Sequence, residues 1–411
     1  MLRHLGGFET VLWLLDQTRS IHFVTAAEMQ GHVPVSRWEE GLQALQQRHP
    51  LLSVCIRETA PLRPAFYRAE GRPIPLRVVQ DEDESRLERE LEAELESTFD
   101  FSIAPLLRAV LIEGKDRSTI VLAVHHSIGD GISGLYLSRD LLQAVSGQTL
   151  SSLPLPAANE TLLEVTSTIT GADAPSEAKE RAVEDYRVRQ ALPRIQRQQL
   201  SPAETTSLML RCKKEGTSVH GALCAAFVLA GRQILPDWMP KPVRVQSLIS
   251  TRKALNIKDD CCLYFGTHML TVENSGTVTD FWELARQAKQ QLAASETKQA
   301  LRENAKLLQG VADARAGVLG TDQIRLEGFA NEIQISNLGI VPYGSSFGAL
   351  QLRSVWGGMS FSGGNEQYVA GIATANGSLS ILLGARKPLG NFLAVATQML
   401  KTATEPEKIL V

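Results

Sequence analysis

Apolar and polar positions along the first third of the chain alternate between two periods. Ile21 to Ala27 reads as a strand. Trp38, Leu42 and Leu45 share one helical face, and Ser36 and Glu39 stand in front of it at the spacing of a capping box. His49-Pro50 stops that helix, because the ring of a proline crowds the residue before it out of helical geometry. Leu51 to Ile56 follows as a short apolar strand. Leu87, Leu91, Leu95 and Phe99 recur every four residues among charges, which predicts a surface helix with one buried stripe. The acidic run Asp81-Glu82-Asp83-Glu84 ahead of it suits the positive end of a helix dipole. Leu106 to Ile112 and Thr119 to Val124 are apolar, β-branched runs that predict buried neighbouring strands. The second runs straight into His125-His126. Beyond Gly131, the positions of Ile132, Leu135, Leu141, Leu142 and Val145 predict a helix closed by Gly147.

From Ser146 to about Lys179 the chain turns to Ser, Thr, Pro and Ala with little apolar period, as a connector does. Mixed strand and helix patterns then resume. Ser218 caps an apolar helix through Leu223, Phe227, Ala230 and Ile234. Val243 to Ile249 is a buried strand, and Asp280 and Glu283 open a helix at Phe281-Trp282. Glu332 to Ser336 is a strand ending in Asn337-Leu338-Gly339. Ala375-Asn376-Gly377-Ser378 between alternating runs is a hairpin signal. There is no short internal repeat, but both halves share a loose order of strands and helices. The reading is an α/β chain with mixed sheets: an N-terminal lobe over 1–150, a connector over 151–185 and a C-terminal lobe over 186–411.

Bulk composition narrows the function classes. The 411 residues are 44% hydrophobic and 21% charged, which is globular, and the net charge of −3 lacks the basic excess of a nucleic-acid binder. The five cysteines, Cys55, Cys212, Cys224, Cys261 and Cys262, are odd in number and irregularly spaced, with no C-x-x-C pair. Free thiols in a reducing compartment are expected, and no zinc site. No stretch approaches the roughly 18 apolar residues of a membrane span, and the N-terminus lacks the pattern of a signal peptide. A cytoplasmic protein and a monomer are expected.

The chemistry concentrates in His125-His126-Ser127-Ile128-Gly129-Asp130-Gly131, at the end of a buried strand. Adjacent strand residues face opposite ways, so one histidine faces a cleft and the other packs behind it. An imidazole near its ordinary pKa of about 6.5 takes and returns a proton near neutrality. Asp130 is placed to orient that imidazole or to pair with a cation that pins the loop. Gly131 lets the backbone turn sharply and come close to a ligand. Two other readings stand beside the base. One is a pair of packed histidines with a turn-type Asp-Gly. The other is a metal site, which the strand-end setting and the lack of an H-E-x-x-H spacing do not favour. No bound cofactor is required. A basic stretch, Arg187, Arg189, Arg194 and Arg197, suits a solvated linker face, or a surface that meets a phosphate or an acidic carrier protein.

The motif HHxxxDG, matched at His125, His126, Asp130 and Gly131, resembles the signature of the superfamily of condensation domains and chloramphenicol-acetyltransferase-like enzymes. The Gly6-to-Glu9 opening, Gln47-Arg48-His49-Pro50-Leu51-Leu52, Leu248-Ile249-Ser250-Thr251-Arg252 and Ser336-Asn337-Leu338-Gly339 extend the resemblance over nearly the whole chain. It is nearest to the free-standing polyketide-associated acyltransferases of the phthiocerol dimycocerosyl transferase type. The Asp-Phe-Gly-Trp-Gly segment of plant members is missing, and Val355-Trp356-Gly357-Gly358 stands in roughly its place. The resemblance implies two lobes with a tunnel at their interface. It implies acyl transfer from a thioester, acyl-CoA or a phosphopantetheinyl acyl carrier protein, to a small alcohol or amine, with a stand-alone amide-forming condensation enzyme of a nonribosomal peptide pathway and a non-catalytic carrier-protein-binding member of the fold as the alternatives. By position, His126 is the base with His125 behind it, Asp130 is mainly structural and pairs with Arg252, Gly131 leaves room beside the base, and Asn337 holds the acceptor or the oxyanion. No G-x-S-x-G elbow or cysteine nucleophile motif is present, and Ser127 reads as a turn residue, so direct attack without an acyl-enzyme is expected.

Overall fold

Two six-stranded mixed sheets form the frame. The computed structural model describes residues 1–69, 71–167, 191–274, 280–363 and 365–405. In the N-terminal sheet the strand Arg117–Val124 lies between Leu107–Glu113 and Phe23–Gln30, antiparallel to both. Leu76–Gln80 adds a parallel edge to Leu107–Glu113. In the C-terminal sheet Ile333–Ile340 lies parallel between Val243–Ser250 and Tyr368–Ala375. Phe265–Val272, Ser378–Ala385 and Arg194–Leu200 complete it in antiparallel pairs. Each sheet has its own core. Trp38, Leu42 and Leu45 of the helix Val35–Arg48 are buried in the first. Leu223 and Phe227 of the helix Val219–Ile234 are buried in the second. A third apolar cluster joins the sheets. Leu87, Leu91 and Leu95 of the helix Arg86–Glu96 pack there with Val121, Val369 and Leu382.

The strand pairing crosses the expected lobe boundary. Leu350–Met359, which sequence order puts in the C-terminal lobe, pairs with Phe23–Gln30 in the N-terminal sheet. Ser346–Phe347 pairs with it in turn. The division into 1–150 and 186–411 therefore does not follow sheet membership.

Several local expectations shift. The helix Val35–Arg48 is entered through Pro34 with no side-chain cap, so Ser36 and Glu39 form no capping box. The helix starts at Val35, so Ser36 lies inside its first turn and not at the N-cap. Leu51 to Ile56 splits into a 3₁₀ turn, Pro50–Ser53, and the strand Val54–Glu58. The first strand starts at Phe23 and runs to Gln30, and the strand begun near Glu332 runs on to Ile340. Asp280 and Ser218 do cap their helices, accepting from the backbone N–H of Glu283 and Gly221. All five cysteines are buried and unpaired. Among the described residues no helix is long and apolar enough to cross a membrane. Arg187 and Arg189 lie outside the described residues, as does the connector beyond residue 167. Arg194 lies 3.9 Å from Glu92, and Arg197 pairs with Glu88 and Glu28. These two arginines therefore brace a strand against the helix Arg86–Glu96.

A buried acid clamps two N-terminal helices. Asp140 on the helix Gly131–Val145 accepts from Arg48 Nε at 2.6 Å, His49 Nε2 at 2.8 Å and Arg139 Nε at 2.7 Å. Burial alone would raise its carboxyl, but the hydrogen bonds from His49 and Arg139 hold it down at about 2. A depressed carboxylate contributes stability above its ordinary pKa and loses it as pH falls through the folded value. Asp140→Ala is expected to cost about 3–5 kcal/mol at neutral pH, because Arg48 and His49 lose their buried carboxylate partner while Arg139 keeps only Asp259. Urea unfolding should show that loss, and the gap to wild type should narrow as pH falls from 3.8 toward about 2. A loss under about 1 kcal/mol at neutral pH, the value of an exposed pair, would contradict the clamp.

Candidate active site

The strand Arg117–Val124 ends immediately before the two histidines, and the turn that follows sends them apart. His125 is buried beside Asp16, with Nε2 3.5 Å from its carboxylate, while Nδ1 accepts from the Ser127 N–H at 3.2 Å. Phe99 lies edge-on to it at 5.9 Å. His126 turns the other way, between Phe23 at 5.1 Å and Phe265 at 5.7 Å, and borders two clefts. Ser127 is held in the turn, its hydroxyl donating to the Glu9 carbonyl at 3.1 Å.

One hydrogen bond sets the tautomer of His126. Its Nδ1 lies 2.9 Å from the Gly129 carbonyl oxygen. A carbonyl only accepts, so Nδ1 carries the proton and Nε2 keeps its lone pair. Burial pushes the imidazole below its ordinary 6.5, against the opposing pull of the Asp130 charge and the Gly129 carbonyl. The ring is therefore neutral near pH 7 and able to accept a proton.

Asp130 makes no hydrogen bond to that ring. It caps the helix Gly131–Val145, its Oδ1 accepting from the Ser133 N–H and hydroxyl, both at 2.8 Å. Oδ2 accepts from Arg252 Nη1 at 2.7 Å and from the Tyr264 N–H at 2.9 Å. Burial would raise this carboxyl, but Arg252 beside it holds it below the usual range. Arg252 stands just past the strand Val243–Ser250, so the pair ties the base loop to the other sheet. The guanidinium also lies over the Tyr264 ring at 5.2 Å.

Gly131 is needed for room and not for a sharp turn. It is the first residue of a regular helix, and a Cβ there would come 2.7 Å from Leu338 Cδ2 and 3.4 Å from Gly358 Cα. Gly358 and Gly357 have φ of +72° and +107°, and mark a register shift where Leu350–Met359 passes Phe23–Gln30. A glycine at each point of this crowded corner keeps the second cleft open beside His126.

The two clefts meet at the base. His126, Leu248, Phe265, Gln334 and Ser360 border both. The first cleft is walled by Phe8, Val11, Leu12 and Leu15 of the helix Gly7–Asp16 and by Leu308 and Val311 of the helix Lys298–Asp313. It takes in about 750 Å³ counted out to its open mouth. The second is bordered by Gly131, Ile132, Ser336, Asn337 and Leu338. Asn337 Oδ1 accepts from the Gly339 N–H at 3.0 Å, where the strand Ile333–Ile340 breaks register. The structure thus brings His126, Asp130, Gly131 and Asn337 to one cleft, puts Arg252 behind Asp130, and sets His125 on the far side. Sequence reasoning missed Gln246, Gln334 and Phe265. The available signal was a glutamine inside a strand otherwise read as buried.

Two family models match the chain. One, described as Condensation domain, covers residues 11–160. The other, described as Phthiocerol/phthiodiolone dimycocerosyl transferase C-terminus, covers residues 189–383. Tyrocidine synthase 3 of Brevibacillus parabrevis is 30% identical over 138 residues, 31% of this chain and 2% of that protein. The chain thus spans a small fraction of the curated relatives it matches. Among solved structures, polyketide synthase associated protein 5 from Mycobacterium tuberculosis superposes with a TM-score of 0.70 at 16% identity over 98% of both chains. Trichothecene 15-O-acetyltransferase from Fusarium sporotrichioides superposes with a TM-score of 0.69 at 13% identity, over 98% of this chain and 95% of that one. At such identities the likeness is one of fold. The chain belongs to the superfamily of condensation domains and polyketide-associated acyltransferases, the first model matching its N-terminal part and the second its C-terminal part.

Proposed function

We propose that this protein transfers an acyl group from a thioester, acyl-CoA or an acyl carrier protein, to a hydroxyl or amine acceptor, with His126 as the general base. The observation that carries this reading is the Nδ1–Gly129 hydrogen bond, which leaves Nε2 basic where two clefts meet. Substrates lying in the two clefts meet beside Nε2. His126 takes the acceptor's O–H or N–H proton as its heteroatom attacks the thioester carbonyl. The tetrahedral intermediate then expels the thiolate, which receives the proton from His126. The acceptor has gained the acyl group and the donor leaves as a thiol.

A positioned base supplies about 10²- to 10⁴-fold, and holding both substrates together lowers the barrier further. The oxyanion needs a fixed donor, a role we assign to Asn337 at the second cleft. Asp130 and Arg252 act through position, fixing the loop that carries the base. An amide-forming condensation enzyme is the second reading, favoured by the family model over residues 11–160. Acceptor chemistry separates the two.

The test is a mass-spectrometric transfer assay pairing acyl-CoA and acyl-carrier donors with alcohols and amines. Wild type should give product, and His126→Ala should fall about 10²- to 10⁴-fold while keeping its circular dichroism spectrum. Wild-type rates in the variant would remove the base role. The pH profile is a separate check. The neutral imidazole is the active form and its pKa is lowered, so kcat/KM should be flat at neutrality and fall only below an acid-limb midpoint under 6.5. A midpoint at or above 6.5 would contradict the buried, neutral base.

A further inference from the structure

The first cleft is apolar along most of its walls and ends in an ordered set of carboxamides. Their orientation is fixed by a relay that starts from the main chain. The Gly363 N–H donates to Gln367 Oε1 at 2.7 Å. Gln367 Nε2 then donates to Asn331 Oδ1 at 2.7 Å. Asn331 Nδ2 donates to the Phe329 carbonyl at 3.1 Å and to Gln246 Oε1 at 3.3 Å. A backbone N–H can only donate, so each amide in the series is locked one way round. The last member, Gln246, has its oxygen used and its NH₂ unspent among the described residues.

Gln334 repeats the arrangement. Its Oε1 accepts from the Ser362 hydroxyl at 2.8 Å, and its NH₂ has no partner among the described residues. Gln334 and Gln246 are register partners on adjacent parallel strands, so their side chains leave the sheet together on one face. Both are more than nine-tenths buried, at 4% and 7% exposure, and both border the cleft. Thr321, which also borders it, has a buried hydroxyl without a partner among the described residues. No carboxylate side chain lines the cleft. Each glutamine NH₂ keeps access to the cleft, so it can donate to a ligand oxygen there.

We propose that this cleft holds an apolar substrate chain that carries a carbonyl oxygen, accepted between the amide N–H groups of Gln246 and Gln334. The proposal rests on the acyltransferase reading only in treating the occupant as a substrate. The helices Gly7–Asp16 and Lys298–Asp313 cover the hydrocarbon, and the glutamine pair selects chains that are oxygenated within the cleft. Gln334 borders the junction with His126, and Gln246 is next to it across the sheet. Two NH₂ donors side by side, with both carboxamide oxygens already accepting, suit an oxygen with two lone pairs better than an ammonium group. An upstream reaction that leaves a keto or amide carbonyl on the chain would supply such a substrate.

Isothermal titration calorimetry on the full chain tests this without turnover. The donor arm uses S-decanoyl-N-acetylcysteamine and its series of oxo isomers, and the acceptor arm uses decan-1-ol and its oxo isomers. In one arm, at least one oxo isomer should bind wild type ten times or more tighter than the plain chain. Gln246→Leu and Gln334→Leu should each abolish that preference while binding the plain chain at least as tightly. The arm that shows it identifies which substrate fills the cleft. Equal binding of plain and oxo chains by wild type, no binding in either arm, or an unchanged preference in both variants would overturn the proposal. The outcome separates from the catalytic reading. A preference seen in a protein that turns over no pair would preserve the subsite and count against the transferase, and turnover without preference would do the reverse.

Discussion

Everything at the site hangs on one buried carboxylate. Asp130 takes four donors: the Ser133 N–H and hydroxyl, the Arg252 guanidinium and the Tyr264 N–H. Two of these belong to its own helix and two come from the segment that follows the strand Val243–Ser250. A single side chain thereby ends the base loop, starts a helix and fastens one sheet to the other. With all four donors present the buried charge is compensated, and without them it would be a liability in a dry interior. The histidine gains its position from this arrangement without touching the acid.

The separation of tasks has an electrostatic logic. A carboxylate bonded directly to an imidazole favours the charged ring. Here the His126 Nδ1–H is given to a neutral carbonyl and the nearby negative charge is largely answered by Arg252. Burial then dominates, and the ring stays neutral. The second histidine lies beside Asp16 in a different compartment. Two adjacent residues of the same type thus meet opposite surroundings because the turn after the strand Arg117–Val124 sends them to opposite sides.

Much of this was legible in the sequence and some was not. The runs 106–112 and 119–124, the helix after Gly131 and the caps at Ser218 and Asp280 depend on local pattern, and local pattern located them. The HHxxxDG segment marked the site for the same reason, since its chemistry is contiguous. The capping box at Ser36 and Glu39 failed because the helix starts at Val35, ahead of the residue that would have capped it. Gly131 was read both as a sharp turn and as room beside the base; it lies in a regular helix, and the side chain nearest a Cβ there, Leu338, is more than two hundred positions away. The glutamines of the cleft were invisible as a group because two strands and a loop assemble them. Pairing of 350–359 with 23–30 was invisible because no local period reports a partner at the other end of the chain.

That last pairing bears on how the protein comes to be made. The strand Phe23–Gln30 emerges from the ribosome about 320 residues ahead of its neighbour Leu350–Met359. Until then one flank of Phe23–Gln30 presents unpaired backbone groups, an edge of the kind that recruits other chains. The N-terminal half therefore cannot be completed on the ribosome ahead of the C-terminal half. Its closure is a late, long-range event that makes the two halves one cooperative unit.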